Sequence, residues 1–409
     1  MKILLATYWL IPHVGGVWKF MSQIKEHLEA MGHEVDLLGN SPDYKKFHIV
    51  NRGLELSKDK LLPLLDSKLD AAKSPLLHLG PHEIIRQYEI DRYCMELSAA
   101  YFGLDGYDVI HTQDVFAARA ISRVKPKRVP LVAHLHGSVA LEMMNHFGMN
   151  SELGVIENSP PWRYFNSIEH YGATSSNITI TANQWQKNML VHRHGVPEHQ
   201  VAVFQYGLDA TSFWNKTSLG TPIQRPPGKK VIIFPARLVF VKGINILISA
   251  LAFLKQIRQD WVCWIVGDGD KQEELQQQVL DASLQQDVLF LGRRDDIPAL
   301  LLQSDIFVHS CLQDNQPFSV MEAQLAGLPA LVSSAGGLPE MVEHGKTGLI
   351  SPVGDPVTLF HQIHHLLEHD EYRKRLGENA KSWAVQHWSM ELMINRLLQV
   401  YSAVVSHSV

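Results

Sequence analysis

Short apolar runs alternate with helix-length segments along this chain, and the alternation occurs twice. The first set of runs covers residues 2–8, 35–38, 109–112, 131–135, 178–181 and 201–205. The second set covers residues 231–234, 262–266, 288–291, 306–309, 330–333 and 349–351. Strands that alternate with helices form parallel sheets covered by helices. The pattern therefore predicts an α/β protein with two parallel sheets.

A segment rich in proline and glycine, residues 218–228, separates the two sets and is predicted to be a linker. A chain of 409 residues is long for one domain and natural for two. We therefore predict two Rossmann-like domains, residues 1–215 and 216–387, that face each other across a cleft. Ligands of such sheets collect at the carboxyl ends of the strands.

Charge and composition narrow the class of protein. The formal net charge of −5 argues against a nucleic-acid partner bound through a basic surface. Three widely spaced cysteines predict no disulfide framework, so a reducing, cytoplasmic compartment is expected. No apolar run approaches the ~18 residues of a membrane span. Residues 41–105 are rich in leucine, charge and histidine and are predicted to form helices, and a peripheral membrane contact through them stays open.

Asp314 and Glu322 lie eight residues apart, on either side of a turn marked by Pro317. Ser319 and Glu322 have capping-box spacing, which predicts a helix start with Glu322 in its first turn. Backbone N–H groups at a helix start favour a bound anion. The residues concerned are Phe318, Ser319 and Val320. Carboxylates for hydroxyls and amides for phosphates suit a nucleotide sugar, although a simple capping role for Glu322 fits the same spacing.

Two cations lie just upstream, after a predicted buried strand. Arg237 follows the strand end, and Lys242 precedes the next predicted helix. A cation at a helix start opposes the helix dipole, so a lysine there is favourable when an anion occupies the site. Arginine offers a planar fork to phosphate oxygens, and lysine offers a point charge. Two solvated surface cations are the simpler alternative.

The chain resembles retaining glycosyltransferases of the GT-B fold, family 4. The C-terminal motifs that carry the resemblance are Arg237 with Lys242, Val266-Gly-Asp-Gly, Phe290-Leu-Gly, Asp305-Ile-Phe-Val and the Asp314/Glu322 pair. The N-terminal motifs are Gly15-Gly16-Val, Val109-Ile-His-Thr, His134-Leu-His136-Gly and the segment from Val196-Pro-Glu to Gly207-Leu-Asp209. These motifs span nearly the whole chain. Their order and spacing make the set more specific than any one of them.

The resemblance implies an activity. A sugar is expected to pass from a nucleotide-diphosphate sugar, with UDP favoured, to an acceptor hydroxyl with retention of the anomeric configuration. Attack on the front face is implied, with the departing phosphate taking the acceptor proton. No metal or other cofactor is required, because cations of the protein take that place. The acceptor is expected to be a carbohydrate, a glycolipid or a small molecule, and residues 41–105 are implied to face it.

The resemblance also implies roles for single residues. Arg237 and Lys242 are expected to neutralise the donor diphosphate, which usually provides the largest catalytic contribution. Glu322 is expected to accept hydrogen bonds from the ribose, and Asp314 from the transferred sugar, at a position where the family has Glu. The remaining assignments are His136 near the donor sugar, Gly15 and Gly16 at the diphosphate, Arg294 near the base, and a C-terminal helix within 388–409 that packs on the first domain.

Two motifs resemble metal sites, and two other functions fit the same fold. Asp268-Gly-Asp270 follows a strand directly and is better interpreted as a tight turn, and His361-x-x-His364-His365 as a solvated helix face. A nucleotide-sugar epimerase or sugar-phosphate synthase on the same fold stays open, although no additional acid and base groups indicate one. A non-catalytic protein that binds a sugar nucleotide also stays open, because Asp314 departs from the family pattern.

Overall fold

The computed structural model describes residues 1–13, 15–71, 82–148 and 157–407, with the backbone alone described at 66–71 and 146–148. The chain divides into two compact units. Unit 1 consists of Met1–Phe204 and Met393–Val409, and unit 2 consists of Gln205–Leu392. The chain therefore passes from unit 1 to unit 2 at residues 204 and 205, whereas the predicted boundary at residue 216 falls inside a helix of unit 2.

In its described residues, unit 1 contains one eight-stranded sheet in the order β4-β3-β2-β1-β5-β6-β7-β8. The strands are β1 (Lys2–Leu10), β2 (Glu34–Asn40), β3 (Lys46–Ile49), β4 (Leu54–Ser57), β5 (Val109–Thr112), β6 (Leu131–Leu135), β7 (Ile178–Thr181) and β8 (Val201–Val203). The helices are α1 (Gly16–Ala30), α2 (Lys58–Ala71), α3 (Glu83–Phe102), α4 (Val115–Ser122), α5 (Val139–Gly148), α6 (Pro160–Thr174) and α7 (Gln184–His192).

The sheet of unit 1 is not entirely parallel, which corrects the prediction for residues 41–105. Strand β3 pairs antiparallel with β2, and β4 pairs antiparallel with β3, before helices α2 and α3 begin. The alternation at Lys46–Ile49 is short and its outward positions are polar, so it gave only a weak strand signal. Antiparallel neighbours need only a short turn, which is why two strands fit where helices were expected.

Unit 2 contains a six-stranded sheet, parallel throughout the described residues, in the order β11-β10-β9-β12-β13-β14. The strands are β9 (Lys230–Pro235), β10 (Trp261–Val266), β11 (Val288–Phe290), β12 (Ile306–His309), β13 (Ala330–Ser333) and β14 (Gly348–Ser351). The helices are α8 (Ala210–Ser218), α9 (Ile244–Lys255), α10 (Gln272–Asp281), α11 (Ile297–Leu302), α12 (Phe318–Leu325), α13 (Pro356–Glu368), α14 (Asp370–His387) and α15 (Met390–Ser406), which enters unit 1 at Met393.

The strand order reverses once in each sheet, and this positions the candidate site. In unit 1 the reversal lies between β1 and β5, and in unit 2 between β9 and β12. Loops at such a reversal diverge to opposite faces of the sheet and leave a crevice at the carboxyl ends of the strands. Arg237 follows β9 and Asp314 follows β12, so the predicted charged residues lie at the crevice of unit 2.

Burial on both faces of the central strands explains the continuous apolar runs of the sequence. Every residue of β10 is buried, and the two large side chains Trp261 and Trp264 are fully enclosed. In unit 1, residues 3–8 of β1 are buried, and α15 contributes Tyr401, whose hydroxyl lies 2.7 Å from Nδ1 of His111. Among the described residues, no helix combines the length and the apolar character needed to cross a membrane.

The predicted linker, residues 218–228, is held against unit 2. The backbone N–H of Arg225 donates to Gln303 Oε1 at 3.0 Å, and Gln303 Nε2 donates to the Ile223 carbonyl at 3.1 Å. Arg225 also forms an ion pair with Asp305 at 2.7 Å. Proline and glycine here shape a surface segment that side chains of unit 2 hold, so their abundance indicated irregular structure and not the crossing between units.

Close backbone contact joins the loops after β9 and β12. Gly243 has a φ of +64°, and a Cβ on it would lie 2.1 Å from the Ser310 carbonyl oxygen. The Ser310 hydroxyl donates to the Gly243 carbonyl at 2.8 Å, and the Leu312 N–H donates to the Val241 carbonyl at 2.7 Å. Position 243 therefore needs glycine for both conformation and space.

We expect Gly243→Ala to destabilise unit 2 more than Gly354→Ala does. Gly354 also has a left-handed φ, +76°, but no atom lies within 4 Å of an added Cβ. The control should lose about 1–2 kcal/mol for the conformation alone, and Gly243→Ala about 3 kcal/mol or more because the loops must separate. Guanidinium unfolding followed by tryptophan fluorescence measures both, and equal losses would contradict the steric argument.

Candidate active site

The loop that carries Arg237 is built by backbone contacts with the Val266-Gly-Asp-Gly motif. A Cβ on Gly267 would lie 2.0 Å from the Ala236 carbonyl oxygen, and one on Gly269 would lie 2.3 Å from that of Leu238. The Leu238 N–H donates to the Asp268 carbonyl at 2.7 Å. The motif is thus a turn that positions the Arg237 loop, as predicted. Arg237 itself is exposed, and its guanidinium forms no ion pair within the described parts of the chain.

Lys242 and Asp314, predicted separately, form an ion pair. Lys242 Nζ lies 2.5 Å from Asp314 Oδ2, and each side chain is only 15% exposed. Lys242 ends a short 3₁₀ turn after β9, and Asp314 lies in the loop after β12. The strand reversal brings them together although they are 72 residues apart in the sequence.

His309 is a third member of this cluster, and the sequence analysis missed it. Its Nε2 lies 2.8 Å from Asp314 Oδ2, and its side chain is 1% exposed. The signal was a histidine at the end of the apolar run Asp305-Ile-Phe-Val-His309, where a buried strand ends. A polar residue at a strand's carboxyl end indicates a site only when the neighbouring loops are known, and these came from the tertiary structure.

The charges of this cluster follow from burial and pairing. Burial favours the neutral form of Asp314, but Lys242 and His309 outweigh it and hold the pKa of this carboxyl well below its usual range. Burial lowers the pKa of His309. At neutral pH the cluster is therefore an ammonium, a carboxylate and a neutral imidazole. Because the carboxylate can only accept, His309 donates through Nε2–H.

Two further contacts fix the Asp314 loop. The Asn315 N–H donates to Asp314 Oδ1 at 3.0 Å, and the Gly337 N–H donates to the Asp314 carbonyl at 3.1 Å. Gly336 has a φ of +55°, and a Cβ there would lie 2.0 Å from that carbonyl oxygen. The carboxylate is therefore held from its backbone as well as from its side chain.

Helix α12 begins differently from the prediction. Pro317 is its N-cap residue, and no side chain caps the helix. The predicted capping box is wrong: Ser319 is the second helical residue and Glu322 the fifth, beyond the first turn. Tertiary packing selects this start because Phe318 is buried and stacks on Tyr206 with ring centroids 5.8 Å apart. Glu322 is partly exposed, and capping its own helix no longer explains it.

The other predicted donor-binding residues of unit 2 divide into two groups. Ser319 is partly exposed, whereas the Val320 side chain is fully buried and its N–H donates to the Pro317 carbonyl at 3.2 Å. Arg294 forms two hydrogen bonds with Asp296, at 2.7 and 2.6 Å. Its guanidinium lowers the pKa of Asp296. The structure thus places Val320 in the core and pairs Arg294 with an acid that sequence reasoning had not considered.

Gly15 and Gly16 start α1 in unit 1. Gly15 is extended, with a φ of 174°, so no left-handed conformation requires glycine there. A Cβ on Gly15 would meet His13 Nδ1 at an ordinary 3.5 Å, and one on Gly16 would meet no atom within 4 Å. The folded chain therefore does not explain either glycine through conformation or clash, and the expected approach of a phosphate to this backbone stays a prediction.

His136 belongs to a stack of three histidine rings. The His134 ring lies parallel to those of His136 and His111, with centroids 4.9 and 5.6 Å away. Burial lowers the pKa of His136 to about 3 and that of His111 to about 3. His136 is thus neutral, and its Nε2 donates to Gln113 Oε1 at 2.9 Å. The stacking shows that His134 and His136, two residues apart in the sequence, lie on one side of the strand.

A buried acid supports the loop that follows His136. Glu169, on α6, is 1% exposed and accepts hydrogen bonds from the Ser138 hydroxyl and the Val139 N–H. Its Oε2 has no hydrogen-bond partner among the residues described. Burial and the nearby Glu142 raise the pKa of Glu169 to about 8, so a carboxylic acid holds this loop at neutral pH.

Comparison with known families identifies the class of protein. Residues 14–212 match Glycosyltransferase Family 4, and residues 218–383 match Glycosyl transferases group 1. Together the two matches cover nearly the whole chain. The protein is a glycosyltransferase of the GT-B fold. Its N-terminal part matches the Glycosyltransferase Family 4 model, and its C-terminal part matches the Glycosyl transferases group 1 model.

Relatives of known name agree with this class. The chain is 22% identical over 404 residues to N-acetyl-alpha-D-glucosaminyl L-malate synthase of Bacillus anthracis, covering 95% of this chain and 94% of that enzyme. Sucrose-phosphate synthase of Thermosynechococcus elongatus has the same fold, with a TM-score of 0.75 at 18% identity and 99% of each chain covered. Anabaena HepE, solved in complex with UDP, has a TM-score of 0.66 at 21% identity, covering 98% of this chain and 100% of that one.

Glu169→Gln should change the pH dependence of stability. The folded pKa of about 8 lies above the ordinary value of 4.5, so between these pH values the folded chain holds a proton that the unfolded chain releases. Wild type should therefore lose stability relative to the variant as pH rises from 4.5 to 8, by up to about 1.4 kcal/mol per pH unit, with no further relative change above pH 8.

Unfolding midpoints measured from pH 5 to 9 test this expectation. Glu26→Gln, at an exposed position of α1, is the matched control and should follow wild type. Parallel curves for wild type and Glu169→Gln would contradict the protonated state assigned to this acid.

Proposed function

We propose that this glycosyltransferase moves a sugar from a nucleoside-diphosphate sugar, with UDP-sugars favoured, to an acceptor hydroxyl. The anomeric configuration of the sugar is retained, and no metal ion takes part. The acceptor is a carbohydrate, a glycolipid or a small molecule. The observation that carries the proposal is the pair of cations, Arg237 and Lys242, on the loop after β9 at the strand reversal of unit 2.

The two cations differ in their readiness for a diphosphate. Arg237 is exposed and without an ion pair in the described chain, so its planar guanidinium can meet phosphate oxygens without breaking a contact. Lys242 is paired with Asp314 and must exchange one anion for another. In the proposed reaction both neutralise the diphosphate as the bond between the sugar and its phosphate breaks. Fixed charges at a leaving group are usually the largest catalytic contribution.

Two carboxylates, one in the loop before α12 and one within this helix, bind hydroxyl groups in this proposal. Asp314 accepts hydrogen bonds from the transferred sugar, and Glu322 accepts them from the ribose. Asp314 is suited to this because it is ionised, and a carboxylate accepts hydrogen bonds. Glu322 is suited to it because its side chain is partly exposed. The proposal uses no protein nucleophile, so the acceptor oxygen attacks on the face from which the phosphate leaves. The departing phosphate takes the acceptor proton.

Unit 1 supplies neutral groups. His136 is assigned to the donor sugar, and because its imidazole is uncharged it acts by hydrogen bonding. Gly15 and Gly16 are assigned to the diphosphate through their backbone, and the open space at Gly16 supports this. Arg294 is assigned to the base only if its pair with Asp296 opens.

The preference for UDP is supported by similar proteins. Anabaena HepE was solved with UDP and also with UDP-glucose. The name of the Bacillus anthracis relative indicates transfer of an N-acetylglucosaminyl group. We therefore propose a UDP-hexose or UDP-N-acetylhexosamine as the donor.

The proposed independence from metal is supported by the ammonium group of Lys242 at the place where a metal ion could bind. Among the described residues, His309, Cys311 and Asp314 have potential ligand atoms within 4.8 Å of one another. Lys242 Nζ already neutralises the Asp314 carboxylate of this group through Oδ2. Burial raises the pKa of the Cys311 thiol to about 12, so this group is a neutral thiol beside the ion pair. An ammonium in this position takes the place of the ion.

Arg237→Ala should abolish nucleotide binding at concentrations that stabilise wild type. A ligand at ~100 times its dissociation constant adds about 2.7 kcal/mol, which raises the unfolding midpoint by several degrees. UDP, GDP, ADP and their hexose conjugates are compared by thermal unfolding. Arg375→Ala, at an exposed position of α14, is the control and should keep the shift. No shift of wild type with any nucleotide would disprove the donor site.

The product of the reaction tests the stereochemistry and the metal. With the donor that stabilises wild type and an accepting sugar, the anomeric proton in the NMR spectrum should show the configuration of the donor. The rate should be unchanged by EDTA and unaffected by added Mg²⁺ or Mn²⁺. An inverted product would contradict the front-face mechanism, and loss of activity in EDTA would contradict the role given to the cations.

A further inference from the structure

We propose that His309 is a positioning residue of the transfer reaction, which keeps the Asp314 carboxylate in place when Lys242 turns to the donor diphosphate. This inference rests on the proposed function, because it assigns Asp314 and Lys242 to the same donor. It adds a residue whose only contact with the chemistry is through Asp314.

One oxygen of Asp314 has two hydrogen-bond donors. Lys242 Nζ lies 2.5 Å from Oδ2, and His309 Nε2 lies 2.8 Å from the same oxygen. The Asn315 N–H donates to Oδ1 at 3.0 Å. If Lys242 leaves, Oδ2 still has the histidine and Oδ1 still has the amide, so the carboxylate keeps its orientation.

The two donors differ in freedom of movement. The His309 ring lies nearly parallel to the rings of Phe234 and Phe307, with centroids 5.8 and 6.3 Å away and interplanar angles of 24° and 14°. Phe307 belongs to β12, the strand that His309 ends, and Phe234 belongs to the neighbouring β9, so the imidazole packs in a row of aromatic rings across two strands. Lys242 is 15% exposed and has a flexible four-carbon stem. The histidine is the fixed donor and the lysine the movable one.

The second ring nitrogen indicates that the hydrogen bond to Asp314 is the polar contact that accounts for His309. Nδ1 is buried and has no hydrogen-bond partner in the described chain. Because the carboxylate only accepts, Nε2 must carry the proton, and Nδ1 is then the unprotonated nitrogen of a neutral ring. A buried polar atom without a partner is costly. Retaining such a ring, where an apolar side chain would fill the same space, is explained by its bond to Asp314.

Without His309, Asp314 would lose its side-chain partner whenever Lys242 turns to the donor diphosphate. A buried carboxylate that loses its cation must find another partner, rotate or take a proton. Any of these removes the acceptor that the sugar hydroxyls are proposed to meet. A neutral donor that does not move avoids this outcome, and it does so without a second positive charge that would compete for the phosphate.

Two substitutions in the 409-residue chain distinguish the hydrogen bond to Asp314 from the packing of the ring. His309→Leu removes the donor and keeps an apolar side chain, whereas His309→Gln places an amide N–H within reach of Asp314. Turnover is measured as release of UDP from UDP-glucose and UDP-N-acetylglucosamine. We expect kcat to fall about 10- to 100-fold in the leucine variant, as for other residues that orient a reacting group, and to return to within about threefold of wild type in the glutamine variant.

A double-mutant cycle tests whether the effect passes through Asp314. The dissociation constants of the same sugar nucleotides are measured for wild type, His309→Leu, Asp314→Asn and the double variant. If His309 acts on Asp314, its substitution should change binding by less than about twofold in the Asp314→Asn background. An equal effect in both backgrounds would show a general structural role and overturn the inference.

The remaining outcomes are also decisive. A leucine variant with wild-type turnover, or a folded glutamine variant as impaired as the leucine variant, would overturn the role of the hydrogen bond. If the leucine variant does not fold, the glutamine variant decides. A wild type that neither binds nor turns over any nucleotide sugar would instead disprove the proposed function, and the two failures are therefore distinguishable.

Discussion

The ion pair between Lys242 and Asp314 is the interaction on which the site of unit 2 depends. Each of these charges is only 15% exposed and needs a partner, because an isolated charge in such a place is strongly unfavourable. The pair can form only if the loops after β9 and β12 approach closely. Gly243 permits that approach, since a Cβ there would collide with the Ser310 backbone. Gly336, in the loop after β13, likewise leaves room for the Asp314 carbonyl. The ion pair of this unit therefore depends on the glycines that let its loops approach.

Lys242 has one anionic partner in the structure and a second one in the proposed reaction. In the structure it neutralises Asp314, and in the proposed reaction it neutralises a diphosphate. Exchange of partners costs less than creating a bare charge, so the lysine can be stored within the fold until the donor arrives. In the proposed exchange, His309 keeps its hydrogen bond to the carboxylate without carrying charge. The requirement for a strong anion follows, since a neutral ligand would not draw the ammonium from its carboxylate.

Unit 1 is organised by neutral polar groups. The stacked rings of His111, His134 and His136 are uncharged because burial lowers their pKa values. Glu169, which bonds the loop after His136, is held in its protonated form by burial. Burial of a carboxylic acid is tolerable when it is neutral and hydrogen-bonded. The two sets of side chains therefore differ in chemistry: an ion pair in unit 2, and neutral imidazoles with a protonated acid in unit 1.

The sequence predicted the two α/β units, most strand positions and the cations at the site, because continuous apolar runs and charges at strand ends are local signals. It also pointed to Asp314. The tertiary structure alone decided that Lys242 bonds this carboxylate, that His309 joins them, and that Asp296 takes Arg294. It placed the start of α12 at Pro317 and the strands β3 and β4 where helices were expected. Those features depend on contacts between residues distant in sequence, or on packing that overrides local preference, and no periodicity records them.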